Sequence, residues 1–150
     1  MNPRLYPAIR WGALFGGGLA VFETATYLLV LRSGTASDLD VLSLILLVLE
    51  GIVPVVAGWL AAREIGEAAA GILAGVVSGV IVAGVSIVAQ LVAPTPPDLA
   101  GGPVDLPTLI FGIALSTVMT VTLGIAGGWA GGRIGAGPTP GTGGTRRPRP

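Results

Sequence analysis

The sequence predicts an all-α integral membrane protein built as a four-transmembrane-helix bundle. Three observations carry this expectation. Hydrophobic residues make up 52% of the 150-residue chain and charged residues only 11%, against about 25% charged in an ordinary soluble domain. Four apolar stretches, 11–31, 41–62, 68–93 and 108–132, each reach the ~20 residues needed to cross a hydrocarbon core. The arginines cluster on one side of those stretches, as membrane topology demands. Each stretch must be helical, because an open strand leaves its backbone groups unsatisfied in lipid.

The first stretch follows Arg4 and Arg10 and mimics a signal peptide. It is too long for a signal-peptide core, and no small-x-small cleavage site follows, so it is read as a retained first span. A short polar connection over 32–40 (RSGTASDLD) leads to the second span, which contains Pro54. A tight turn over 63–67 (REIGE) leads to the third span, which has no charged residue. A longer acidic connection rich in Pro and Gly, 94–107 (PTPPDLAGGPVDLP), precedes the fourth span, also uncharged. Residues 1–134 therefore form one four-span domain. The tail 135–150 (GAGPTPGTGGTRRPRP) has no apolar periodicity and is expected to be a disordered cytoplasmic tail.

In a four-span layout Arg4, Arg10, Arg63, Arg133, Arg146, Arg147 and Arg149 fall on one side and Arg32 on the other. The positive-inside rule then puts both termini in the cytoplasm, in the cell inner (plasma) membrane. Trp11, Trp59 and Trp129 lie at the same ends, each within four residues of Arg10, Arg63 or Arg133. Tryptophan beside a snorkelling arginine is an interface anchor.

The ends of the second and fourth spans echo each other: AGWLAAR over 57–63 and GGWAGGR over 127–133. Gly12 and Gly16 open the first span as Gly71 and Gly75 open the third. The pattern suggests two duplicated helical hairpins related about an axis along the membrane normal; convergent anchors would give a similar echo. Gly71, Gly75 and Gly79 recur at spacing four on the third span, and Gly124, Gly128 and Gly132 on the fourth. That spacing lines one helix face with residues that let backbones approach. The third and fourth spans are expected to cross closely there. An oligomer contact and a glycine-lined pore are the alternatives.

Two glutamates, Glu23 and Glu50, lie alone inside the first and second spans. Counting 1.5 Å per residue places each about 12–13 Å from its nearer span end, near the middle of a ~30 Å core. Charge at that depth is costly, so such a residue is a functional candidate by default. Ser86, Ser116 and Thr117 are expected at similar depth, with Tyr27 one turn from Glu23. Pro54 clashes with the carbonyl four residues earlier, which belongs to Glu50. If the two glutamate faces meet, the carboxylates would share a proton, since like charges cannot both ionise cheaply when close. Otherwise both act as protonated hydrogen-bonding groups between helices.

The chain has no Cys and no His, and all eight of its basic residues are Arg. Those absences remove zinc chemistry, Ser-His-Asp and Cys-His constellations, Schiff-base chemistry and the Walker lysine. No enzyme activity, cofactor or metal is expected. No basic patch interleaved with aromatics points to nucleic acid. The expected partners are the lipid bilayer and a second copy of the chain or another membrane protein. The leading expectation is a non-enzymatic accessory or scaffold subunit packing through its glycine faces. The alternative is a small proton- or cation-coupled transporter or channel using Glu23 and Glu50.

Overall fold

A computed structural model of the chain describes residues 5–33, 36–93 and 105–137. Arg4, Arg146, Arg147 and Arg149, most of the 94–107 connection and the tail from 138 onward lie outside the described residues. Within them the protein is all-helical: α1 Tyr6–Ser33, α2 Ala36–Ile65, α3 Ala68–Val92 and α4 Leu106–Gly135. Each is long and apolar enough to cross a membrane.

The helices of 28, 30, 25 and 30 residues overrun most of the apolar stretches that announced them. Polar residues at the ends continue the backbone hydrogen-bond ladder even where hydropathy has stopped reporting it. Pro7 is tolerated in the first turn of α1, where its missing N–H has no partner to lose. Asp105 caps α4 by accepting from the Thr108 backbone N–H at 3.1 Å. Hydrogen bonding by Thr108 holds the exposed Asp105 carboxyl below its ordinary value. The turn expected over 63–67 narrows to Gly66 and Glu67, since α2 runs to Ile65 and α3 begins at Ala68. Gly66 has φ +80°, a left-handed conformation that glycine adopts without penalty. Its N–H donates to the Ala62 carbonyl at 2.7 Å, closing α2.

α1 packs against α2 and α3, α4 packs against the same two, and α2 touches α3 across the middle. The α3–α4 and α2–α4 contacts are the most extensive. Helices α1 and α3 run in one direction, α2 and α4 in the other.

Among the described residues the bundle packs closely at one end, the closed end, and loosely at the other, the open end. The closed end gathers Tyr6, Ile65, Ala68 and Gly135; the open end gathers Ser33, Ala36, Val92 and Leu106. Ala8, Ala57, Ala61 and Ala74, all with 0% exposure, form the core of the closed half, with Trp11 and Phe15 packed against them. A second cluster of Leu19, Ala20 and Val82 lies nearer the middle. Towards the open end burial thins: Leu42 of α2 is still buried, but no residue of α4 from 106 to 119 is.

The reason is the distribution of small residues. Close packing of such apolar helices needs residues small enough to let backbones touch. A Cβ on Gly75 would run into the Gly124 carbonyl, and one on Gly124 would stand 2.6 Å from the Gly75 carbonyl oxygen. Gly71 faces Gly128 and Gly132 in the same way, and Gly79 faces Thr120. The other stripe on α4, Gly127, Gly131 and Gly135, lies on the α2 backbone around Pro54, Val55 and Trp59. On α1, a Cβ at Gly12 would be 2.5 Å from the Ala74 carbonyl oxygen and one at Gly16 would be 2.7 Å from Ser78 Cα. The glycine faces are thus used inside this chain.

The closed end is also held by polar contacts. Glu64 Oε2 accepts from Arg10 Nη2 at 2.9 Å and from Trp11 Nε1 at 2.8 Å, joining the start of α1 to the end of α2. Three guanidinium groups lie over tryptophan rings: Arg10 on Trp11 at 4.8 Å, Arg63 on Trp59 at 5.4 Å and Arg133 on Trp129 at 5.2 Å.

Candidate functional site

Glu23 and Glu50 both lie where the closed half gives way to the open half, and each is held by a hydroxyl of another helix. Ser86 Oγ on α3 donates to Glu23 Oε1 at 2.7 Å. Thr120 Oγ1 on α4 donates to Glu50 Oε2 at 3.1 Å. Gly12 and Gly16 seat α1 against α3, and the face they define continues through Glu23 to Tyr27 at helical spacing. The Tyr27 hydroxyl donates to the Ala93 carbonyl at 3.1 Å, beyond the end of α3. One face of α1 therefore delivers Gly12, Gly16, Glu23 and Tyr27 to α3.

Glu50 is positioned by the equivalent logic on α2. Gly58 lies against Gly128, where a Cβ on Gly58 would stand only 2.7 Å from the Gly128 carbonyl oxygen, and Pro54 abuts Gly127. This close approach of α2 to α4 continues one turn beyond Pro54 to Glu50 and Thr120. Thr120 heads the Gly124–Gly128 stripe at spacing four, so the face that packs the helices also presents the hydroxyl.

Two recesses adjoin these pairs. The first, of about 270 Å³, is lined by Glu23, Thr24, Tyr27, Ser43, Ser86 and Gln90, with Leu42, Leu46 and Ala89. The second, of about 330 Å³, is lined by both Glu23 and Glu50, with Ser43, Ser116 and Thr120 among apolar neighbours that include Leu46 and Met119. Glu23, Ser43 and Leu46 line both recesses.

The sequence candidates are distributed unevenly. Glu23, Tyr27 and Ser86 meet around the first recess, and Glu50 and Ser116 line the second. Thr117 does not join them: its hydroxyl donates to the Ile113 carbonyl of its own helix at 2.7 Å, the common fate of a hydroxyl in an apolar helix. Thr26 does the same with Phe22, also at 2.7 Å. No hydrogen bond joins Glu23 to Glu50 among the described residues; the arrangement is two carboxylate–hydroxyl pairs. Sequence reasoning places Ser43 on the Glu50 face of the second span but does not single out Thr120, Gln90 or Glu64. Thr120 was legible as the head of a glycine stripe, whereas the part played by Glu64 depends on where α1 begins.

Chemically, the site offers carboxylates that take up or release protons or balance a cation, ringed by hydroxyl and amide oxygens. Among the described residues no group of three or more His, Cys, Asp or Glu is placed to hold a metal ion. No family model, curated protein or solved structure matches this chain, and the functional reading rests on the geometry of these two pairs.

Proposed function

We propose that the protein is a small proton- or cation-coupled transporter or channel whose site is the Glu23–Glu50 region. The observation that carries this reading is the second recess, lined by both carboxylates. Ionisable groups facing an intramembrane cavity mark ion or proton pathways. The glycine faces, which would have served a scaffold, are occupied within the chain. The three Arg–Trp pairs at the closed end support an inner-membrane location with that end, and both termini, in the cytoplasm. The open end then lies on the side away from the cytoplasm. The juxtaposition of Glu50 with Thr120 and of Gly58 with Gly128, both at the spacing that aligns the two Gly-Trp motifs, supports descent from duplicated hairpins.

A second reading, a non-enzymatic accessory subunit, is favoured by one observation. The open half of α4 presents Leu106, Ile110, Phe111, Leu115 and Val118 outward, a face suited to lipid or to another membrane helix.

The test is pH-dependent proton and cation flux in proteoliposomes, with wild type beside Glu23→Gln/Glu50→Gln. The proposal expects flux in wild type and its loss in the double variant, with both proteins folded. Absence of flux from oriented wild-type protein would reject it in favour of the accessory subunit.

A further inference from the structure

The first recess has a chemistry of its own. Its volume of about 270 Å³ lies near the lower end of the range for small-molecule pockets. A single carboxylate enters it, Glu23, steered by Ser86 at 2.7 Å. Tyr27 forms part of the wall, with its hydroxyl tied to the Ala93 carbonyl at 3.1 Å. Leu42, Leu46 and Ala89 supply an apolar side, and Gln90 supplies an amide. A multivalent metal ion favours several charged oxygen ligands; among the described residues no such group exists. A neutral hydrocarbon would be better served by the recess between α1 and α3 lined by Val21, Leu28, Ile81 and Val85, which contains no charged residue. One half-buried carboxylate, one aromatic side chain and a mostly apolar wall together match an organic cation.

We infer that the recess at Glu23 seats a small organic ammonium ion. Glu23 provides the counter-charge, the Tyr27 ring the aromatic wall, and Leu42 and Leu46 the surface for alkyl groups. This inference rests on the proposal that the site serves a cation and narrows it from any cation to an organic one.

The experiment is calorimetric titration of the full chain in lipid nanodiscs with tetramethylammonium chloride, with sodium chloride as competitor. Saturable tetramethylammonium binding that equimolar sodium does not displace is expected. Glu23→Gln should weaken it about tenfold or more, since the charge partner is lost. Tyr27→Leu should weaken it about fivefold, whereas Tyr27→Phe, which keeps the ring but loses the bond to Ala93, should retain it. Thr26→Ala, whose hydroxyl serves only its own helix, should bind as wild type. Sodium displacing the probe would overturn the inference, as would equal losses in Tyr27→Phe and Tyr27→Leu, which would mark the tyrosine as structural. If Glu23→Gln does not fold, the sodium competition on wild type and the tyrosine pair still decide. Proton or sodium flux without tetramethylammonium binding would overturn the organic ligand and leave the proposed function standing. Neither flux nor binding would overturn both.

Discussion

At the scale of single residues, the two glutamates show how a costly group is accommodated. A carboxyl inside a long apolar helix is costly to leave unpartnered, and Glu23 and Glu50 each have a hydroxyl partner and line a recess. The hydroxyl bonds themselves are modest, because a membrane-embedded unfolded chain also finds partners for its polar groups. A double-mutant cycle on Glu50→Gln and Thr120→Val, read by unfolding in lipid or detergent, should give a coupling of about 0.6 kcal/mol and no more than about 1.7 kcal/mol. A larger coupling would mean that the pair is a principal structural clamp. Glu23 bonds to α3 and Glu50 to α4, so each carboxylate has its own hydroxyl partner while both line one recess. The choice of partner depends on helix rotation, which residue spacing alone cannot supply.

Among the helices, glycine placement determines which faces touch. α4 carries two stripes, one for α3 and one for α2, and needs both because it packs on two neighbours. A side chain forced into such a contact must push whole backbones apart. Gly75→Leu and Gly128→Leu should each destabilise the bundle by more than about 2 kcal/mol, measured by thermal unfolding in detergent. Gly84 and Gly112 have open space where a Cβ would go. Gly84→Ala and Gly112→Ala should therefore be neutral or mildly stabilising, by up to about 1 kcal/mol from helix propensity. Equal damage from all four would show that glycine acts here through helix flexibility and not through contact. The spacing of four and the crossing of α3 with α4 were readable in advance, but the seating of the second stripe, Gly127, Gly131 and Gly135, on α2 was not. Proline has a comparable division: its place in α2 is visible in the chain, whereas its contact with Gly127 depends on how α2 lies on α4.

Over the whole molecule, the contrast between a closed and an open half is the property most relevant to function. Its consequence is a gradient of solvent access along the bundle. The chain has no Cys, so single cysteines report cleanly. Ser43→Cys, at the shared rim of both recesses, should react readily with a water-soluble maleimide. Ser78→Cys should resist, because Ser78 has 0% exposure and is packed against Gly16. Equal labelling at both positions would mean that the closed half opens in solution, and the recess would then be one state of a wider passage.

The helical class, the four elements and the residues with which each helix packs are all legible in the chain before it folds. They follow from local physics: a long apolar run must satisfy its own backbone groups, and spacing four keeps small residues on one face. Glu23 and Glu50 are legible for the same reason, because an isolated charge in an apolar run is conspicuous without any structure. The packed bundle was needed to show that Glu23 answers to Ser86 and Glu50 to Thr120, and that Thr117 turns back on its own helix. It was also needed to show that the glycine faces close one half while the other stays open. These outcomes depend on the rotation and tilt of four helices relative to one another. Rotation and tilt are set by many weak backbone contacts acting together, and no single stretch of the chain encodes them.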